Sequence, residues 1–240
     1  MSYSTDPNIP PTTTGIILAG GHGTRFGSAD KVMAHLAGRP MISWVLDAFE
    51  QARLVDDVVL VIGRHIQGDV EKAVAHSRWS KLETVASGGE LRQDSMQIGL
   101  GFVKPSVSFV AVHDGARPLV TPHDIDRCIM AASGAHAAIL ASPVTDTIKS
   151  VNRGFVESTI PRERLMAAQT PQVAFRSVLL EAMTKAEKHG RVFTDEAGLL
   201  EWFGHAVTVV PVTSPNPKVT LPSDLISAEA LLRAREVKTP

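Results

Sequence analysis

Apolar residues in this chain fall into short, nearly continuous runs separated by stretches with helical spacing. Gly15–Ala19, Val58–Ile62, Leu82–Ala86, Val107–His113 and Ala137–Ala141 read as strands buried on both faces. Between them, Pro40 opens an amphipathic stripe over Met41–Phe49, residues 67–77 carry helical spacing, and a further helix runs through Met96, Leu100 and Val103. Thr121-Pro122 supplies a cap and a first-turn proline for the next helix. This alternation predicts an α/β fold, a Rossmann-like doubly wound and mostly parallel sheet. Ligands of such sheets gather at the carboxyl ends of the strands. Three unusual loops, at residues 20–31, 87–95 and 113–118, all fall there, which points to one shared site.

The alternation breaks after residue 143. Val144–Val151, the turn Asn152-Arg153-Gly154 and Phe155–Ile160 read as a β-hairpin that leaves the main sheet. An isolated hairpin is marginal in water, so it is expected to pack on something, a second subunit being the natural candidate. Thr170-Pro171-Gln172 then leads back into helical spacing over 175–189. A helix starts at Thr194-Asp195-Glu196 and runs through Leu199, Leu200 and Trp202. Ala206–Pro211 is the last strand, Asn216–Thr220 a polar turn, and Pro222–Arg235 a closing helix.

The first loop changes the picture from fold to chemistry. Gly20, Gly21 and Gly23 follow the first strand, with Arg25 and Lys31 just beyond. Glycines let main-chain N–H groups approach a phosphate chain, and the two cations balance its charge. A nucleoside triphosphate site is the expectation. A P-loop is excluded because Asp30 precedes Lys31. The dinucleotide fingerprint is excluded because Gly27 comes one residue late after Gly21 and Gly23. Asp114, at the end of a strand, is placed to hold Mg²⁺ between phosphates, since that ion needs only one or two carboxylates. Arg117 can pair with Asp114 or face phosphate.

Composition narrows the classes. A net charge of −1 over 240 residues argues against binding nucleic acid by bulk electrostatics. Cys128 is the single cysteine and sits in a helical apolar pattern as core filler, so a disulfide framework is excluded and a reducing, cytoplasmic setting is expected. No apolar run reaches the ~20 residues of a membrane span. The nine histidines include no His-x-His or His-x-x-x-His pair of the sort that binds metal. Residues 1–13 are rich in Ser, Thr and Pro and read as a disordered tail; 14–236 form one domain that includes the 143–164 hairpin arm, and 237–240 are a second tail.

Seven segments in order carry a family resemblance: Leu18–Gly27, Gly88–Ser95, His113–Pro118, Asp146–Lys149, Gln169–Gln172, Thr194-Asp195 and Pro217–Thr220. Together they resemble the 2-C-methyl-D-erythritol 4-phosphate cytidylyltransferases, with the ribitol-5-phosphate cytidylyltransferases as close relatives. The resemblance spans about residues 15–235 and implies a nucleotidyltransferase domain. It implies transfer of CMP from CTP to methylerythritol phosphate with Mg²⁺, releasing pyrophosphate, in isoprenoid precursor synthesis. Ribitol 5-phosphate is the alternative substrate, and a non-catalytic nucleotide sensor the alternative from another class. The resemblance assigns Arg25 and Lys31 to the triphosphate and to charge developing at the α-phosphorus. Ala19, Gly20, Gly21, Gly23, Gly88, Gly89, Arg92 and Ser95 fall on its nucleotide-binding segments. Arg117, Thr194 and Lys218 face the polyol phosphate, Lys218 also with a catalytic role. Thr147 and Arg162 would reach the polyol phosphate in the neighbouring subunit of a homodimer joined through the hairpin.

Overall fold

The structure is a computed structural model that describes residues 12–20, 31–74 and 79–236. The chain enters through β1 (Thr13–Ala19), crosses a small antiparallel ribbon of β2 (His35–Leu36) and β3 (Arg39–Pro40), and turns into α1 (Met41–Gln51). Then come β4 (Asp57–Ile62), a short 3-10 turn, α2 (Gln67–Val74), β5 (Leu82–Ser87), α3 (Arg92–Gly101), β6 (Phe109–Asp114) and α4 (Pro122–Ala135). The remainder is β7 (Ala137–Pro143), β8 (Ile148–Asn152), β9 (Phe155–Ile160), β10 (Met166–Phe175), α5 (Arg176–Lys188), α6 (Glu196–Phe203), β11 (Thr208–Pro211) and α7 (Pro222–Glu236). β1 starts at Thr13, which is fully buried, so Thr13 belongs to the sheet and not to the expected amino-terminal tail, whose residues 1–11 lie outside the described residues.

The main sheet has seven strands in the order β11-β7-β10-β6-β1-β4-β5. β5, β4, β1 and β6 run parallel, as do β7 and β11, whereas β10 is antiparallel to both its neighbours. The sheet is therefore doubly wound and mostly parallel, as the alternating pattern predicts. β1, β4 and β6 are buried along their whole length, which is why they read as unbroken apolar runs. α3 lies close against them because of Gly99: a Cβ there would come within 2.6 Å of Ile16 Cγ2. Thr121 caps α4 by accepting a hydrogen bond from the Asp124 N–H, with Pro122 in the first turn. Asp195 caps α6 through the Gly198 N–H.

β10 is the element that sequence patterning misses. Its Thr170-Pro171-Gln172 segment reads as the lead into helical spacing over 175–189, yet it lies in a strand, with Gln169, Thr170 and Gln172 all buried. Each has a specific partner: Gln169 donates to Ser142, and Gln172 donates to Asp195 while accepting from the Ala197 N–H. The register of β10 against β7 shifts between Ala168 and Gln172 at this point. The two-stranded ribbon β2–β3 was likewise not expected from the pattern.

Thr170 locks β10 to the end of β6. Its hydroxyl oxygen accepts from the Asp114 N–H at 3.1 Å, which leaves its proton for His113 Nδ1 at 3.0 Å. His113 is then the Nε2–H tautomer, donating to the Arg117 carbonyl at 3.2 Å. Burial pushes the His113 pKa down from 6.5 to about 4, so the ring is neutral. Between those two values the unfolded chain takes up a proton that the folded chain refuses, so acid destabilises the fold through His113. We expect Tm to fall as the pH drops from 7 to 4.5, and His113→Gln to flatten that slope while lowering Tm at pH 7. Parallel melting curves of the two proteins across this range would contradict the assignment.

Candidate active site

Four loops meet at the carboxyl edge of the sheet. The loop after β6 is tied to β1 by the Gly115 N–H donating to the Leu18 carbonyl at 2.8 Å. The segment 216–219 is tied to that loop in turn, because the Val219 N–H donates to the Ala116 carbonyl at 2.8 Å. The loop after β5 runs into α3, where Ser95 Oγ accepts from the Gly89 N–H at 3.2 Å. Gly88 is required beside it, since a Cβ would lie 2.6 Å from Ser95 Oγ.

Two cavities of about 200 Å³ each open between these loops. One is walled by Ala19, Gly20, Gly89, Ser95 and Ala116, with the larger Leu18, Val32 and Leu91 and the cation Lys31 beside them. The other is walled by Arg117, Gln169, Thr170, Gln172, Thr194 and Asp195. Arg92, Asp114 and Lys218 line both, and so form the partition between them.

The partition is a chain of charges. Lys218 Nζ donates to Asp114 Oδ2 at 2.7 Å, and Arg92 Nε donates to Asp114 Oδ1 at 3.3 Å. The far side of the Arg92 guanidinium grips Glu196 with two bonds, of 2.6 and 3.0 Å. Burial alone would raise the Asp114 pKa, but Lys218 and Arg92 outweigh it and hold the carboxyl far below the usual range. Burial also opposes the charge on Arg92, yet Glu196 and then Asp114 keep its pKa above the ordinary guanidinium value. Arg117 stands further off, 3.8 Å from Asp114, and donates to the Asn216 and Ala168 carbonyls; burial pulls its pKa down.

The structure brings together Ala19, Gly20, Lys31, Gly88, Gly89, Arg92, Ser95, Asp114, Arg117, Thr194 and Lys218 of the residues singled out by sequence. Gly21, Gly23 and Arg25 lie outside the described residues. Thr147 and Arg162 stand apart: both are exposed at the foot of the β8–β9 hairpin, where Arg162 donates to the Thr145 carbonyl, and neither lines either of these two cavities. Sequence reasoning assigned no role to Glu196, Gln172 or His113. The acidic pair Asp195-Glu196 at a helix start was the available signal for Glu196, but its partner lies 104 residues away.

Asp114 is the residue on the partition that could hold a divalent cation. Among the described residues no cluster of three or more His, Cys, Asp or Glu side chains forms a protein-only cage. Mg²⁺ needs only one or two carboxylates, keeping waters and taking further oxygens from phosphates, so Asp114 on the partition could serve as its protein ligand.

The family model described as 2-C-methyl-D-erythritol 4-phosphate cytidylyltransferase matches residues 13–234. A protein of that name from Dehalococcoides mccartyi is 37% identical over 219 residues, covering 91% of this chain and 95% of that one. Another, from Pelotomaculum thermopropionicum, is 39% identical over 224 residues, covering 92% and 94%. Among solved structures, the 4-diphosphocytidyl-2C-methyl-D-erythritol synthase of Anaerococcus prevotii superimposes with a TM-score of 0.82 at 25% identity, covering 94% of this chain and all of that one. With its sheet order, its partition of charges and these matches along nearly its whole length, the chain belongs to the 2-C-methyl-D-erythritol 4-phosphate cytidylyltransferase family.

Proposed function

We propose that the protein transfers CMP from CTP to 2-C-methyl-D-erythritol 4-phosphate, releasing pyrophosphate, as a step of isoprenoid precursor synthesis. The observation that carries this reading is the partition of Arg92, Asp114 and Lys218 between two cavities, in a chain of this family. The cavity beside Gly20, Gly89 and Ser95 offers backbone and a hydroxyl to a base and ribose. The other cavity, beside Arg117 and Thr194, suits a polyol phosphate.

Both reactants are polyanions, so their approach depends on fixed cations. A phosphate oxygen of the polyol phosphate attacks the α-phosphorus of CTP, and the bond from that phosphorus to the bridging oxygen of the β-phosphate breaks. The electron pair leaves with pyrophosphate. Lys31 in the wall of the first cavity and Lys218 on the partition offset the charge that gathers on the α-phosphoryl oxygens. Arg25 belongs to the same role by its place in the glycine loop. Asp114 would hold Mg²⁺, which when bound neutralises phosphate charge between the reactants.

Family membership favours methylerythritol phosphate over ribitol 5-phosphate as the acceptor. The test is pyrophosphate release from CTP with each acceptor in parallel. The expected result is a higher kcat/KM for methylerythritol phosphate; a clear preference for ribitol 5-phosphate, or no release with either, contradicts the reading.

We further propose a cytoplasmic homodimer in which the hairpin of one subunit completes the site of the other. The hairpin forms a sheet of its own, and its Val151, Phe155 and Val156 are exposed at 59%, 79% and 64%. Thr147 and Arg162 at its foot line neither of the two cavities described above. Lys31→Ala and Arg162→Ala should each be inactive as pure proteins. Unfolded together and refolded, random pairing makes half the dimers mixed, with one intact site in each, so activity returns to about a quarter of wild type. Absence of any recovery would show that both residues serve their own chain.

A further inference from the structure

Glu196 lines neither of the two cavities, yet it is the residue on which the partition leans. It is 4% exposed, sits at the first position of α6, and spends its carboxylate on both terminal nitrogens of Arg92. A second contact ties the same two segments together. Gln93 Oε1 accepts from the Phe193 N–H at 3.0 Å, and Gln93 Nε2 donates to the Arg191 carbonyl at 3.3 Å. The start of α3, which carries Ser95, is thereby clamped to the strip that carries Thr194 and Asp195.

We propose that Glu196 is a positioning residue for cytidylyl transfer, acting through Arg92 to fix the orientation of Asp114 between the two substrate cavities. The inference rests on the reading of the site as a cytidylyltransferase centre. A guanidinium is planar, with its donors in a fixed fork. When Glu196 occupies the Nη1 and Nη2 edge, only the Nε edge is left to meet Asp114, and it does so on Oδ1 alone. Oδ2 is thereby reserved for Lys218 and the substrate side. Without the Glu196 charge, Arg92 has one carboxylate left to pair with. It would turn its fork onto Asp114, occupying both oxygens and drawing the partition out of register with the reacting phosphates.

The test is a double-mutant cycle on kcat/KM for the polyol phosphate at saturating CTP, with rates expressed per folded molecule. Glu196→Gln keeps size and removes charge. It should lower kcat/KM by at least about tenfold, the order expected when an oriented reacting array loosens. Glu196→Asp, which restores the carboxylate, should recover much of that loss. Because Glu196 acts only through Arg92, Arg92→Gln combined with Glu196→Gln should be no worse than Arg92→Gln alone, within about threefold. Losses that multiply would mean that Glu196 acts independently of Arg92, and that result overturns the proposal. So does a Glu196→Gln enzyme within about twofold of wild type, a margin inside ordinary additivity error. Should Glu196→Gln not fold alone, the comparison of Arg92→Gln with the double variant, which buries no lone charge, still decides the matter by the same threefold criterion. A wild-type enzyme with no turnover would overturn the functional reading, and this proposal with it. An active wild type matched by Glu196→Gln would overturn this proposal alone.

Discussion

A carboxylate that is 8% exposed, Asp114, is held ionised between Arg92 and Lys218, and the remainder of the site is arranged to keep it so. A buried charge is costly unless it is paired and hydrogen-bonded. Here the pairing comes from opposite directions in sequence: Arg92 from the start of α3, Lys218 from the segment before α7. Both had to be brought to the end of β6. For Lys218 a main-chain bond does this, the Val219 N–H donating to the Ala116 carbonyl, while the Gly115 N–H donating to the Leu18 carbonyl holds the loop after β6 against β1.

The same economy governs β10. A reversed strand in a parallel sheet brings its amino-terminal half to the carboxyl edge, where β6 ends. Thr170 can then accept from the Asp114 N–H while donating to a neutral His113, and Gln172 can fasten the start of α6. α6 in turn carries Glu196 to Arg92. The polar residues of β10 thus link the backbone on one side of Asp114 to the ion pair on the other.

Much of this was legible in the chain itself. The glycine loop after β1, the strand-end Asp114, and the Arg92 and Ser95 pair ahead of an apolar helical stripe each carry a local signature, because backbone conformation and first-turn chemistry are local. The alternation of strands and helices fixed the parallel part of the sheet for the same reason. What was not legible is set by long-range pairing. β10 does not read as a strand because the polar Gln169, Thr170 and Gln172 are buried on partners far away in sequence, such as Ser142 and Ala197. Glu196 looks like an ordinary acidic residue at a helix start until Arg92 is seen opposite. Thr147 and Arg162 belong to a motif that, among the described residues, lines neither of the two cavities.

The most direct test of the central claim is the ionisation of Asp114 itself. Carbon-13 NMR of its side-chain carboxyl, assigned by comparison with Asp114→Asn, should show no titration from neutral pH down to the onset of acid unfolding. Its cationic partners hold it below the usual carboxylate range. A titration with its midpoint near the ordinary aspartate value of about 3.9 or above would show that the partition does not hold a fixed charge, and would contradict the account.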